Sequence, residues 1–353
     1  MNSFRGPSLD SGRRLSVAVV LPAHNEAAHI GGVLRDIPSL VDKVIVVDDA
    51  STDNTAEIAE ECGDERVVVV RHERNSGVGA ATKTGYRIAI EGRYDLVAKI
   101  DADGQMRGIE LERLLEPFNL GMADYAKGNR FYFRDATLGM PLARSFGNSA
   151  LSFLTKLASG YWHVFDSQCG FTVASTPFLE LLDLDQIADG YFFENDMLIR
   201  MNSLNARVVD VPVSTIYGDE VSGVSISKVV ASFPPKLLAG GLRRFWRKNL
   251  VTDFGPIGAL TVIGTLLVAF GALFGAYHWW LSVVTAVAAT TGTVMIAVLP
   301  LILGLQLLIQ AFSMSVVASP GAAESAEFVR VLVSSRSLER ASERQDRGKG
   351  AEK

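Results

Sequence analysis

The sequence KVIVVDDASTD, residues 43–53, contains the pattern that decides the fold. Residues 43–47 are mostly apolar and β-branched, which is typical of a buried strand. Two aspartates end this run, and Thr52 or Asp53 can then cap a helix that continues through residue 61. A strand that passes within a few residues into a helix is the repeating unit of α/β proteins.

The same unit occurs before and after this stretch. Further strands are predicted at residues 15–21, 67–70 and 96–100, and helices follow the first two of them. Strands that alternate with helices favour a mostly parallel sheet with helices on both faces. We therefore expect a Rossmann-like α/β fold for the first half of the chain.

Four polar clusters follow the ends of the predicted strands. They are Asn25–Glu26, Asp48–Asp49, Asn75–Gly79 and Asp101–Asp103. In parallel α/β sheets, ligands bind beyond the carboxyl ends of the strands, so these loops are expected to converge on one edge. This convergence is the strongest indication of a functional site in the sequence.

Asp101, Asp103 and Gln105 have the chemistry of a metal site. Two carboxylates two residues apart on an extended chain point to the same side, and the glutamine adds an amide oxygen. Hard divalent cations prefer oxygen ligands, and Mg²⁺ completes its coordination with water and substrate phosphates. Because the motif follows a predicted buried strand, we expect it to hold Mg²⁺ or Mn²⁺.

The clusters after the second and third strands are suited to a nucleotide. A carboxylate at Asp48 or Asp49 can accept hydrogen bonds from a base or ribose, although either residue alone is also compatible with a helix cap. The glycines of residues 75–79 allow backbone amides to approach an anion at a helix start. The full G-x-G-x-x-G spacing is absent, which argues against a nicotinamide cofactor.

The charge distribution divides the chain into two halves. No Asp, Glu, Lys or Arg occurs from Phe254 to Ala323. Within this stretch, residues 257–277 and 293–317 are each long enough to cross a bilayer, with the aromatic residues 277–280 between them. Two buried helices of a large soluble core are the alternative, but so long a charge-free stretch is rare there.

The flanking charges predict an orientation in the membrane. The cations on the two sides of the hairpin are Arg243, Arg244, Arg247 and Lys248, then Arg330, Arg336, Arg340 and Arg344. The loop between the spans has no Lys or Arg, so the positive-inside rule places the α/β domain and both termini in the cytoplasm, at the cell membrane. A hairpin that buries little surface of its own also favours self-association into a homo-oligomer.

The remaining segments complete the expected organisation. Residues 227–250 mix apolar and basic side chains and predict one or two amphipathic juxtamembrane helices, interrupted at Pro234–Pro235. An ordinary amphipathic helix packed against the α/β domain is the alternative. The expected divisions are a flexible N-terminus (1–14), the α/β domain (15–226), the juxtamembrane helices (227–250), the hairpin (251–320) and a largely disordered cytoplasmic tail (321–353).

Composition excludes several classes of function. The 353 residues carry a net charge of −5, with no basic face interleaved with aromatics, so no nucleic-acid partner is expected. Cys62 and Cys169 are too few and too far apart for a disulfide framework. The predicted spans contain no Asp, Glu, Lys or Arg, which argues against a channel or transporter pathway.

The ordered series of motifs resembles the family 2 glycosyltransferases, in particular the polyprenyl-phosphate branch related to dolichyl-phosphate mannosyltransferase. The matching segments are LPAHNEA (21–27), VVDDASTDNT (46–55), NSGVGAA (75–81), DADGQ (101–105), GNRF (128–131), DSQCGF (166–171), FFEND (192–196) and YGDEVSG (217–223). Each motif alone is loose, but eight in register are specific. The segment 218–228 is more similar to bacterial members that act on undecaprenyl-type phosphate than to GDP-mannose enzymes.

The resemblance implies a GT-A fold and a set of site residues. The expected donor-binding residues are Pro22, Ala23, Asn25, Glu26, Asp48, Asp49, Asn75, Gly79, Asp101, Ala102 and Asp103. The expected catalytic residues are Asp101, Asp103, Arg130, Glu194 and Asp196. The metal would lie on Asp101, Asp103 and Gln105, and the acceptor phosphate on Arg130, Arg144 and Lys156.

The implied reaction is inverting, metal-dependent transfer of a sugar from a UDP- or GDP-sugar to a polyprenyl phosphate. Glu194 and Asp196 resemble an acidic pair that acts as a base or orients the sugar, and the helix dipole alone also favours them at a helix start. Two alternatives remain. One is a glycosyltransferase with a glycan or protein acceptor, which needs a true base, and the other is a non-catalytic membrane scaffold that binds nucleotide sugars.

Overall fold

The computed structural model describes residues 14–132, 142–214 and 226–330. The chain forms two compact units. The sheet unit contains Met1–Gly240 and Pro320–Lys353, and the helix unit contains Gly241–Ser319.

The sheet unit is built on seven strands. They are β1 Val17–Ala23, β2 Lys43–Asp48, β3 Val67–Arg71, β4 Leu96–Lys99, β5 Tyr125–Asn129, β6 Thr172–Ser175 and β7 Val208–Pro212, in the spatial order β3-β2-β1-β4-β6-β5-β7. Strands β1 to β4 are mutually parallel, β7 is parallel to β5, and β6 runs antiparallel to both β4 and β5. The sheet is therefore mostly parallel, as expected, with one reversed strand.

Helices cover both faces of this sheet. They are α1 Ile30–Asp36, α2 Thr55–Glu60, α3 Val78–Glu91, α4 Leu111–Asn119, α5 Leu142–Ser159, α6 Thr176–Leu179 and α7 Phe193–Ser203. Because side chains alternate along a strand, Val19 and Leu21 of β1 enter one apolar cluster while Ala18 and Val20 enter another. The central strand is buried on both faces, which explains its continuous apolar sequence.

The predicted strands are present, with ends that shift by up to two residues. Strand β1 extends to Ala23 because its pairing with β2 continues through Ala23 and Asp48. Asn54, and not Thr52 or Asp53, is the N-cap residue of α2. Asp53 still contributes, since its Oδ1 accepts from the Thr55 amide at 3.1 Å.

The first residues of the predicted C-terminal tail are ordered, and the expectation for the rest of the tail stays a prediction. Residues 322–330 are helical, and Phe328 is completely buried in the apolar cluster that also contains Val209 of β7. Ser325 Oγ accepts a hydrogen bond from the Asp210 amide at 3.1 Å. Burial of the large Phe328 side chain stabilises this segment, which the charged composition of the tail did not indicate. Residues 331–353 lie outside the described residues.

The juxtamembrane stretch is one helix, α8 Ile226–Trp246, which runs through both prolines. The expected interruption at Pro234–Pro235 is therefore wrong. Phe233 and Leu237, on either side of the prolines, are 5% and 2% exposed, and the Phe233 ring meets Phe192 edge to face at 5.2 Å. The prolines cannot donate backbone hydrogen bonds, and the contacts of Phe233 and Leu237 hold the helix in place before and after them.

The helix unit contains α9 Pro256–Thr285 and α10 Thr291–Val317, both long and apolar enough to cross a membrane. Helix α9 is longer than predicted, so residues 277–280 belong to it and do not lie between the spans. The two helices pack through small residues. A Cβ on Gly264 would lie 2.9 Å from the Gly304 carbonyl, and a Cβ on Gly304 would lie 2.8 Å from the Val268 amide nitrogen.

Candidate active site

Hydrogen bonds connect the loops that follow β1 and β2. The Asn25 amide donates to Ser51 Oγ at 2.9 Å, and Asn25 Oδ1 accepts from the Thr52 amide at 2.8 Å. Asn25 has φ +58°, a left-handed conformation that asparagine tolerates better than most residues. Asn25 therefore turns the chain out of β1 and fixes the second loop at the same time.

The other residues predicted in the first loop have well-defined surroundings. Pro22 and Ala23 are buried at the end of β1, and the Ala23 carbonyl accepts from the Asp49 amide at 2.8 Å. Glu26 is half-buried, and its Oε2 lies 3.0 Å from His29 Nδ1. This loop is thus held rigidly against the end of β2.

The two aspartates at the end of β2 have different roles. Both carboxylate oxygens of Asp49 are occupied by the third loop, which donates from His72 Nδ1 at 2.7 Å and from the amides of Ser76 at 2.9 Å and Gly77 at 2.6 Å. Asp48 is also buried, but its Oδ1 has no hydrogen-bond partner within the described residues. A buried carboxylate oxygen left without a donor is costly. Asp48 is therefore the better placed of the two to receive a donor group from a ligand.

The glycines of the third loop are required by packing. Gly77 has φ +98°, and a Cβ added to it would lie 2.6 Å from the Asp189 carbonyl. A Cβ on Gly79 would collide with the Ala188 carbonyl, and the Ala80 amide donates to Asp189 at 2.9 Å. These glycines let α3 approach the 188–190 segment. Asn75 is exposed, and a role of Asn75 or Gly79 toward a nucleotide stays a prediction.

The motif after β4 has the alternation that the sequence predicted. Ala102 is 2% exposed and packs in the core, whereas Asp101 and Asp103 on either side of it are partly exposed. Asp103 Oδ1 accepts from the Gln105 amide at 3.0 Å, and Gly104 makes the turn with φ +75°. The two carboxylates are thus presented by a tight turn at the sheet edge.

The residues of this motif fit a metal ion that a substrate helps to coordinate. Within residues 14–132, 142–214 and 226–330, no group of three or more His, Cys, Asp or Glu side chains is placed to hold a metal alone. Mg²⁺ is commonly held by one or two carboxylates together with substrate phosphates and water. Asp101 and Asp103 supply that number of carboxylates.

Lys99, which the sequence analysis missed, connects this motif to α7. Its ammonium donates to Asp101 Oδ1 at 2.6 Å and to Glu194 Oε1 at 2.9 Å. Burial alone would lower the pKa of Lys99, but these two carboxylates outweigh burial and hold the pKa above its ordinary value. Glu194 is therefore brought to the motif after β4.

Asp196, the other predicted acidic residue of α7, contacts the segment around residue 188. Its Oδ2 accepts from the Ala188 amide at 3.1 Å and from Arg200 Nε at 3.0 Å. Residues two apart on a helix do not face the same way, so one of the pair turns to the sheet edge and the other to the 188 segment. Asp196 thus supports the 188 segment, and the catalytic roles of Glu194 and Asp196 stay predictions.

Arg130 follows β5 and forms a bidentate ion pair. Its Nε and Nη2 donate to the two carboxylate oxygens of Asp166 at 2.7 and 3.0 Å. The side chain of Asp166 is 2% exposed and that of Arg130 about one-fifth exposed, so the ion pair is largely buried. Such pairs fix the plane of the guanidinium.

Lys156 and Arg144 are the other two cations predicted to bind an acceptor phosphate. Lys156 Nζ lies 5.0 Å from the centre of the Phe165 ring, a cation–π contact. Burial lowers the pKa of Lys156, and Asp210 opposes that effect. The Arg144 side chain lies outside the described residues.

Two further buried ionisable residues were also missed. Lys127 of β5 is 1% exposed and donates to the Cys169 carbonyl at 2.6 Å, and burial lowers its pKa. Asp210 of β7 accepts from Asn129 Nδ2 at 2.6 Å, and burial raises the pKa of Asp210 to about 7. A charged residue in or at the end of an otherwise apolar strand, as in LVAK (96–99) and VVDVP (208–212), is a sequence signal for a buried ionisable group.

Comparison with known sequences gives a consistent result. The sequence model of Glycosyl transferase family 2 matches residues 18–182. A UDP-N-acetylglucosamine–dolichyl-phosphate N-acetylglucosaminyltransferase of Methanococcus voltae is 32% identical over 216 residues, which cover 57% of this chain and 86% of that protein. An undecaprenyl-phosphate mannosyltransferase of Micrococcus luteus is 32% identical over 208 residues, covering 57% and 84%.

A solved structure supports the fold. Glucosyl-3-phosphoglycerate synthase from Mycobacterium tuberculosis, determined in complex with UDP, superposes with a TM-score of 0.51 at 24% identity. The match covers 65% of this chain and 80% of that one. The expected GT-A fold is confirmed.

Proposed function

Because the chain belongs to glycosyl transferase family 2, we propose that it transfers a sugar from a nucleotide sugar to the phosphate of a polyprenyl lipid. One observation carries the proposal: Asp48 ends β2 and the Asp101–Asp103 turn follows β4, the two strands that flank β1, and Lys99 joins Glu194 of α7 to that turn. Two relatives that the chain matches over more than four-fifths of their length are named for polyprenyl-phosphate acceptors.

The nucleoside of the donor would lie against the loops after β1 and β2. Asp48 Oδ1, which lacks a partner among the described residues, would accept a hydrogen bond from the base or ribose. Asn25 and Asp49 would act indirectly, because their side chains are used to hold the second and third loops. The rigid connection of these loops would limit the reorganisation that binding requires.

The diphosphate of the donor would lie at the turn after β4. Asp101, Asp103 and the Gln105 amide oxygen would hold Mg²⁺ or Mn²⁺, which supplies positive charge to the leaving diphosphate. Ala102 keeps this turn on the sheet by packing in the core. The transfer assay described below distinguishes Mg²⁺ from Mn²⁺ and UDP-sugars from GDP-sugars.

The acceptor chemistry would need cations more than a base. A phosphate monoester is already an anion at neutral pH, so its oxygen can attack the anomeric carbon without losing a proton. A bond forms from that oxygen to C1 while the bond from C1 to the diphosphate oxygen breaks, and the electron pair leaves with the nucleotide. This single displacement inverts the anomeric centre.

Arg130, Arg144 and Lys156 would bind the acceptor phosphate. Asp166 would orient Arg130 through its two hydrogen bonds. Glu194 would orient the transferred sugar, and Asp196 would support the 188 segment through its hydrogen bond to Ala188.

The helix unit would anchor the enzyme in the membrane. Helices α9 and α10 have the length and composition of membrane spans, and the cations from Arg243 to Lys248 precede the first of them. The sheet unit and both termini would then face the cytoplasm. This location would give the enzyme access to lipid acceptors and soluble nucleotide sugars from the same side.

The test is a transfer assay with the purified full chain in detergent. Undecaprenyl phosphate, Mg²⁺ or Mn²⁺ and a panel of radiolabelled UDP- and GDP-sugars would be supplied, and label entering the organic phase measured. We expect transfer from one donor, loss on chelation and no transfer without the lipid phosphate. Nucleotide binding without transfer to the lipid would contradict the acceptor, and a parallel arm with glycan and protein acceptors would identify the alternative.

A further inference from the structure

A lysine is buried between two of the predicted site residues. The Lys99 side chain is 1% exposed, and its ammonium is shared between the carboxylates of Asp101 and Glu194. Asp101 follows strand β4, whereas Glu194 lies in the first turn of α7. One ammonium therefore joins two carboxylates that come from different elements of the fold.

Stability is a poor explanation for this arrangement. Lysine is almost never fully buried without partners, and the loss of its hydration offsets much of the attraction in a buried ion pair. The Lys99 ammonium makes its two charged contacts at 2.6 and 2.9 Å, which fix both the distance and the direction of each carboxylate. The contacts are therefore better explained by what they hold in place.

Asp101 is also confined on its other side. A Cβ added to Gly170 would overlap Asp101 Oδ2, so this oxygen lies directly against the glycine. Lys99 holds Oδ1 at 2.6 Å, and about one-third of the Asp101 side chain remains exposed. The carboxylate thus has a restricted orientation and an open part, as a ligand for a metal requires.

We infer that Lys99 is a positioning residue that holds Asp101 and Glu194 as one unit at the donor site. This inference rests on the proposed function, in which Asp101 is a ligand of the donor's metal. The ammonium sets the orientation of Asp101, and the same group ties the acidic residue of α7 to it. Residues that orient a metal ligand typically change metal affinity by about 10- to 100-fold when they are replaced.

A second buried lysine provides a matched control. Lys127 is likewise 1% exposed, but its ammonium donates at 2.6 Å to a backbone carbonyl, that of Cys169. Lys127→Met removes a buried ammonium from the middle of β5, where its hydrogen bond goes to a backbone carbonyl and not to Asp101 or Glu194. A general effect of losing a buried lysine would appear in both variants.

The experiment measures binding of UDP and of GDP to the purified full chain by calorimetry, with and without Mn²⁺. Whichever nucleotide the wild type binds in a Mn²⁺-dependent manner is then used for Lys99→Met, Glu194→Gln and Lys127→Met. We expect Lys99→Met to weaken Mn²⁺-dependent binding by about tenfold or more. Glu194→Gln, which removes one of the two carboxylates that Lys99 holds, should weaken binding by less than Lys99→Met does, and Lys127→Met should bind within a few-fold of wild type.

Two further variants keep the test valid if Lys99→Met does not fold. Lys99→Met combined with Glu194→Gln restores the charge balance at the buried pair and should fold, yet bind as weakly as expected for the single variant. Gly170→Ala leaves Lys99 in place and displaces the Asp101 carboxylate, so it should also weaken binding.

The outcomes separate the inference from the proposed function. Wild-type affinity in Lys99→Met or in the double variant would overturn the inference alone, and so would an equal loss in Lys127→Met. Absence of Mn²⁺-dependent binding of both nucleotides to the wild type would overturn the proposed function, and the inference with it.

Discussion

The sheet unit and the helix unit place the same kinds of residue in opposite positions. In the sheet unit, apolar side chains such as Val19 and Phe328 are completely buried. In the helix unit, Leu273 and Trp279 are 73% and 74% exposed, while small residues such as Gly304 are buried. The difference follows from the solvent, since lipid favours apolar side chains on the outside and leaves close backbone packing to hold the helices together.

The comparison also locates the chemistry. The sheet unit buries ionisable groups on its strands, including Lys99, Lys127 and Asp210. The segment from Phe254 to Ala323 has no Asp, Glu, Lys or Arg. Fixed charges for a reaction are thus provided by one unit, and an apolar surface suited to a bilayer is provided by the other.

The largest expected difference between the two units is in the free energy of unfolding that each loses when one phenylalanine is replaced by alanine. Phe328→Ala should lower the free energy of unfolding of the sheet unit by about 3–5 kcal/mol, because it opens a cavity in a packed core. Phe312→Ala, at a side chain 48% exposed on α10, should change stability by only about 0.5 kcal/mol. Denaturant unfolding of both variants in detergent, followed by circular dichroism, measures the difference. Equal effects would contradict the burial of the C-terminal segment.

The next effect concerns the charge buried in β7. Burial raises the pKa of Asp210 to about 7, so the folded state holds a proton that the unfolded chain releases near pH 3.9. This contribution favours the folded state fully below pH 3.9 and is lost as the pH rises to about 7. Asp166 adds to the raised pKa, whereas Asn129 and Lys127 oppose it.

Asp210→Asn removes this titration, and its stability relative to wild type should therefore rise between pH 5 and pH 8. The expected rise is about 2–3 kcal/mol, from 1.36 kcal/mol for each pKa unit in that window. Unfolding curves of both proteins at the two pH values measure it, and other titrating groups cancel in the comparison. A difference independent of pH would contradict the raised pKa of Asp210.

The smallest expected effect is that of a Gly→Ala substitution in a helix, which should stabilise the sheet unit and destabilise the helix unit. Gly32→Ala in α1 meets no atom within 4 Å and should stabilise the sheet unit by up to about 1 kcal/mol, the difference in helix propensity. Gly304→Ala in α10 would press on the Val268 backbone and should weaken the packing of α9 on α10. Thermal unfolding in lipid nanodiscs measures both, and stabilisation by Gly304→Ala would contradict the close helix contact.

Features encoded within a few residues could be predicted from the sequence. The four clusters after β1 to β4 were located because each strand and the loop after it form a local pattern, and α9 and α10 because charge is absent over so long a stretch. The exposure of Asp101 and Asp103 on either side of the buried Ala102 matches the alternation expected of an extended chain, although residues 102–104 form a turn.

Features that depend on distant contacts could not be predicted. The bond between Lys99 and Glu194 joins residues 95 positions apart, and nothing near Lys99 indicates its partner. The sequence shows Glu194 and Asp196 as a pair, but the start of α7 decides that only Glu194 meets Lys99. The ordered segment 322–330 depends on a place for Phe328 in the core, which the polar composition of the tail conceals.

The most direct test of the central claim is the rate of sugar transfer to undecaprenyl phosphate by Asp103→Asn compared with wild type. Glu112→Gln, an acid-to-amide change at an exposed position of α4, is the matched control. We predict that Asp103→Asn lowers the rate by about a hundredfold or more at saturating lipid, while Glu112→Gln leaves it unchanged. Transfer by Asp103→Asn at the wild-type rate would contradict the placement of the reaction at the edge of the sheet.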